Sequence, residues 1–141
     1  MAREGLAVFD ETLQLTHIWL KRLMAELHTE DRQQAYLALR AVLHALRDNL
    51  TVEEASDLGA QLPMLVRGIY YEGWNPARTP ARERSRQAFF DHVDRVLPGG
   101  FEYDADLATR AVFKLLAERV TAGEIKDVRG MLPKDVQTLW P

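Results

Sequence analysis

Phe9, Leu13, Thr16, Leu20, Leu23 and Leu27 recur at alternating intervals of four and three residues. That spacing returns to one side of an α-helix at every turn, so it predicts an amphipathic helix whose apolar face is widened by Trp19 and Met24. The polar stretch His28 to Arg32 interrupts the pattern, and Asp31 is placed to cap the next helix. There Ala35, Leu39, Val42 and Leu46 form the apolar line, with Tyr36 and Leu43 beside it. Thr51-Val-Glu-Glu54 has the form of a capping box, in which the hydroxyl takes the Glu54 N–H and the carboxylate reaches back. A short third helix stops near Leu62, and Pro63 suits the first turn of a fourth. Gly73-Trp74-Asn75-Pro76 ends that helix and Thr79-Pro80 follows, so Glu72 to Pro80 is expected to be a linker. Helix resumes from Ala81, with Phe89, Phe90, Val93 and Leu97 as its apolar face. Pro98-Gly99-Gly100 stops it, and Asp104 caps a sixth helix carrying Ala105, Thr109, Val112, Phe113 and Leu116.

The second half repeats the first at a constant offset of 70 without a gap. Arg40-Ala-Val42 meets Arg110-Ala-Val112, and Leu46 meets Leu116. Thr51, Glu54 and Asp57 meet Thr121, Glu124 and Asp127, and Leu62-Pro63 meets Leu132-Pro133. The expectation is all-α: an internal duplication of two pseudo-symmetric four-helix units packed into one bundle. The first would span residues 1–71, the linker 72–80 and the second 81–141. Units of this size are marginal alone, which favours packing on each other. Arg40 and Arg110, kept in both halves, are expected to pair with Asp57 and Asp127 of their own half.

The run Ala60-Gln-Leu-Pro-Met-Leu-Val-Arg-Gly-Ile-Tyr-Tyr-Glu-Gly-Trp-Asn-Pro76, then Phe89, then Leu132-Pro-Lys-Asp-Val-Gln-Thr-Leu-Trp140, resembles the bacterial family known as domain of unknown function 2267. The resemblance covers nearly the whole chain. It implies a small all-α cytoplasmic protein and carries no activity with it.

Composition narrows the chemistry. Of 141 residues 47% are apolar, enough for a packed interior, and a net charge of −3 gives no global field toward nucleic acid or anionic membrane. There is no cysteine, which excludes disulfides, thiolate-ligated metals and thiol nucleophiles. The N-terminus lacks the apolar core of a signal peptide, and no window reaches the ~20 apolar residues of a spanning helix.

The linker region holds the candidate contact surface: Arg67, Tyr71, Trp74, Arg78, Arg82, Arg84 and Arg86. Aromatic rings beside arginines suit a planar or anionic ligand, or an anchor for a protein partner. The plainer reading is that the rings seal the junction between halves, since Trp140 stands where Tyr70 does, and that the arginines pair with nearby acids. His17, His28, His44 and His92 lack the turn-spaced partners of a helical metal site, so no metal or cofactor is expected. Glu53, Glu54 and Asp57 crowd a helix start, where the macrodipole accounts for them. No phosphate loop, nucleophile elbow or His-Glu zinc motif occurs. The sequence therefore points to a non-enzymatic helical binding module, its contact surface in the cleft between repeats, with a protein partner or a second copy as occupant. The alternative is a small-molecule or phosphate-ligand-binding protein or enzyme in which Arg67, Arg78 and Arg82 hold an anion. Nucleic acid and membrane are not expected partners.

Overall fold

The second helix of the bundle is its hub. In the computed structural model, which describes residues 5–141, α2 spans Arg32–Asp48 and buries eleven of its 17 residues, Leu39, Val42, Leu43 and Leu46 completely. Helix α1 (Ala7–Leu27) lies along it on one side. Helices α3 (Val52–Ala60) and α4 (Met64–Tyr71) follow, and α4 folds back onto both α1 and α2. A 3₁₀ turn at Pro76–Arg78 leads to α5 (Arg86–Val96) and α6 (Ala105–Arg119), which both pack against α2, α6 also against α1. Helix α7 (Ala122–Met131) meets α3, and the short α8 (Lys134–Gln137) closes on α5. The all-α expectation is met, with eight α-helices and no strand among the described residues. The first four residues, part of the stretch read against a signal peptide, lie outside those described.

Caps set the helix starts. Asp31, Thr51, Asp104 and Thr121 each accept a backbone N–H from the first turn of the helix that follows, as the sequence predicted. Pro63 and Pro133 stand one position ahead of α4 and α8, where a missing N–H leaves no helical bond unmade. Helix α5 begins at Arg86 rather than Ala81. The Ala81 N–H is taken by the Asp48 carbonyl at 2.7 Å, which holds this segment against the end of α2. Ser85 then caps α5 by accepting from the Ala88 N–H.

Two expectations fail on geometry. Arg40 pairs with Glu72 at 2.7 Å and Arg110 with Asp106 at 2.5 Å, and among the described residues neither reaches Asp57 or Asp127. The end of α4 lies closer to Arg40 than α3 does, and Asp106 is one turn before Arg110 on the same helix. The capping boxes form only by half. Thr51 and Thr121 accept from the Glu54 and Glu124 N–H groups, but neither glutamate side chain reaches back to its threonine.

The apolar stripe of α1 also departs from expectation. Trp19, Leu20, Leu23 and Leu27 are buried in the core, yet Phe9 is 53% and Leu13 47% exposed. The first turns of α1 continue the stripe past the end of the bundle that would cover it. No helix among the described residues is long and apolar enough to cross a membrane.

Candidate functional site

Most of the expected contact surface is occupied by the fold itself. The Arg67 guanidinium donates to the carbonyls of Gly59, Ala60 and Leu62, at the end of α3 where helical carbonyls lack partners. Arg84 donates to the Met131 carbonyl. Arg86 donates to the Asp135 carbonyl and the Thr138 hydroxyl, which ties α5 to α8. Tyr71 and Trp74 are half-buried, their ring centroids 5.3 Å apart, with Tyr71 edge-on to Tyr70 at 4.9 Å. Tyr70 is fully enclosed, and Trp140 is buried and stacked on Phe113 at 4.0 Å. These rings belong to the packing.

Arg78 and Arg82 remain at the surface. They rim shallow depressions around the linker, one of about 350 Å³ lined in part by Arg78, Arg95, His92 and Asp48. His92 lies 3.3 Å from the Asp48 carboxylate, and burial lowers its pKa against the pull of that acid. Among the described residues, none of Arg78, Arg82 and Arg95 is within ion-pair distance of an acid. The halves meet through helix faces, α2 on α5 and α6, α1 on α6 and α3 on α7.

A buried cation ties α2 to the end of α4. Arg47 sits at the last turn of α2 and is enclosed. It donates to the carbonyls of Tyr70 and Glu72, each at 2.6 Å, and to Asp48 at 3.0 Å. A guanidinium at the C-terminus of α4 satisfies carbonyls the helix leaves bare and opposes the negative end of its dipole. His44, also buried on α2, holds the Ile69 carbonyl at 2.8 Å through Nε2. Burial lowers its pKa and keeps the ring neutral.

The two capping glutamates converge. Glu54 is 8% and Glu124 9% exposed. Their carboxylates lie with that of Asp127 such that one oxygen of each is within 4.8 Å of the others. Glu54 Oε1 and Glu124 Oε1 are buried without a hydrogen-bond partner. Burial and then the Glu54 carboxylate push the Glu124 carboxyl up to about 8, with Asp57 and Asp127 adding to the effect. The sequence reading weighed histidines as metal ligands and explained the acids by the macrodipole. The sequence showed Glu54 and Glu124 recurring at the same offset as their caps, but not that α3 and α7 meet there and bring the two together.

Against curated proteins the chain gives no match. The model for an uncharacterized conserved protein family, DUF2267, matches residues 16–139, and the chain belongs to that family.

Proposed function

We propose that this chain is a cytoplasmic interaction module, built by duplication of a four-helix unit, that pairs with a second copy through the uncovered end of α1. The observation that carries the reading is the run Leu6, Phe9 and Leu13, which extends the core stripe of α1 by two turns into solvent. Val8, Leu15 and Ile18 are also exposed, so this end of the helix is apolar on more than one side. A helix of that character is stable in water when something buries it. Met64 and Leu65, exposed at the start of α4, extend the patch, and the Leu65 N–H is bonded to the Thr12 hydroxyl at 2.9 Å. Every copy carries the same stripe. Two copies crossing at this point bury it isologously, the commonest way for identical chains to close an assembly.

Contacts that recur with their roles exchanged support the duplication. Thr121 bonds Gln61, while Thr51 contacts Met131, the residue at the position equivalent to Gln61. Glu54 likewise faces Glu124. The competing reading, an anion held by Arg67, Arg78 and Arg82, is weakened because Arg67 is engaged by three carbonyls.

Light scattering across a concentration series tests the pairing. The expected result is a mass of two chains, falling to one in Phe9→Asp/Leu13→Asp, which keeps its helical circular dichroism because neither side chain is in the core. A wild-type protein that stays monomeric at about 100 μM would sink it, since apolar interfaces of ordinary size hold at that concentration.

A further inference from the structure

We propose that Glu54, Glu124 and Asp127 form a site for one hard divalent cation of the Mg²⁺, Mn²⁺ or Ca²⁺ class, where α3 meets α7. Glu54 and Glu124 are each the third residue of their helix, behind the threonine that caps it. In that place a glutamate ordinarily turns back to its own cap. Here both turn toward each other instead. Two carboxylates brought together out of water repel, and neither Oε1 has a donor to offset the loss of hydration.

The spacing fits an ion. Oxygens bound to one hard cation at ~2.0–2.6 Å lie at most about 4–5 Å apart, across the shell. The three carboxylate oxygens fall within 4.8 Å of one another, inside the limit for a shell of Ca²⁺ size, while Mg²⁺ at about 2.1 Å would draw them closer together. The donor set is all oxygen, with no histidine or cysteine in the cluster, which favours a hard cation over zinc or copper. Asp127 is exposed while the two glutamates are buried, so one side opens to solvent for entry and for the waters that complete the shell. Asp57, on the same helix as Glu54, adds negative field without being a ligand.

A second arrangement competes, in which one proton is shared between Glu54 and Glu124. It relieves the repulsion but gives Asp127 no part. The two differ in whether the protein stripped of metal by a chelator takes up an added cation. Under the proposal, calorimetric titration with Mn²⁺, Ca²⁺ or Mg²⁺ shows one equivalent bound for at least one of them. The same cation raises the melting temperature by several degrees at millimolar concentration. Asp127→Asn weakens binding by at least about tenfold, and Glu124→Gln or Glu54→Gln abolishes both responses. These glutamine variants are close in shape to the parent side chains and leave at most one of the pair able to ionise, so they are expected to fold at least as well as the parent, and the loss cannot be assigned to unfolding. No binding of any of the three cations up to millimolar, or binding that survives in the Glu54→Gln/Glu124→Gln protein, overturns the proposal. The first of these outcomes, with stability that falls toward pH 8, assigns the pair to the shared proton.

Discussion

At Tyr70 the ring is wholly enclosed and its hydroxyl donates to the Ala55 carbonyl at 2.7 Å. Burial raises the phenol pKa far above its usual range, so it remains a donor at any pH the fold tolerates. This bond joins the end of α4 to the middle of α3, at the step where the chain reverses. Tyr70→Phe is expected to lower stability by about 1–2 kcal/mol with no change in the urea m-value, because it removes one buried hydrogen bond and no apolar contact. An unmoved urea midpoint would mean that the bond contributes nothing. The neighbouring Gly59 shows the same tightness, since a Cβ there would run into the Tyr71 ring. The match of Tyr70 to Trp140 marked Tyr70 as a packing residue and left Tyr71 on the candidate surface, but the contacts of the two rings with Ala55 and Gly59 of α3 are not encoded in local spacing.

Among the helices, the pattern of apolar residues was a good guide to direction and a poor guide to coverage. It placed the inner faces of α1, α2 and α6 and the caps at Asp31, Thr51, Asp104 and Thr121, because these depend on neighbours within one turn. It did not show that Phe9 and Leu13 lie beyond their partners, since periodicity says which side a residue takes and not what lies opposite. Nor did it show that Ser85 would start α5, because the preceding segment is held by a backbone bond to Asp48. Carboxylate convergence at Glu54 and Glu124 was hidden for the same reason: it depends on where two helices meet. The threonine caps give a quantitative check at this scale. Thr51→Ala and Thr121→Ala are each expected to cost about 1 kcal/mol by thermal denaturation. The Thr121 change costs more, because that threonine also exchanges two bonds with Gln61, at 3.0 and 3.1 Å. Equal costs would show that the Gln61 bridge is idle.

For the molecule as a whole, pH is the most direct probe of the buried carboxylates. Glu124 has an ordinary value of 4.5 and is held near 8 in the fold. The native state therefore keeps a proton that the unfolded chain has lost, and stability falls as pH rises between those values. The groups facing it are Glu54 and Asp57 on α3 and Asp127 on α7, all acidic. His44 acts in the other sense. Its pKa is lowered from 6.5, so its contribution is present above 6.5 and is lost as pH falls below. Above 6.5 the remaining slope belongs to Glu124. Urea titrations in chelator are expected to show stability declining from there toward pH 8, and Glu124→Gln should flatten the curve. A flat parent curve would contradict the raised value.

The uncovered start of α1 has a consequence for how this protein could diverge. The family match begins at Thr16, the first buried residue of that helix. Upstream of it, substitutions at the exposed Leu6, Phe9 and Leu13 leave the core untouched, while Thr12 still holds the Leu65 N–H at the start of α4. On the proposed pairing, one continuous helix carries two kinds of constraint, folding on its later turns and recognition on its earlier ones. Partner choice could drift among relatives by exchange of a few side chains at Leu6, Phe9 and Leu13, with the bundle behind them unchanged.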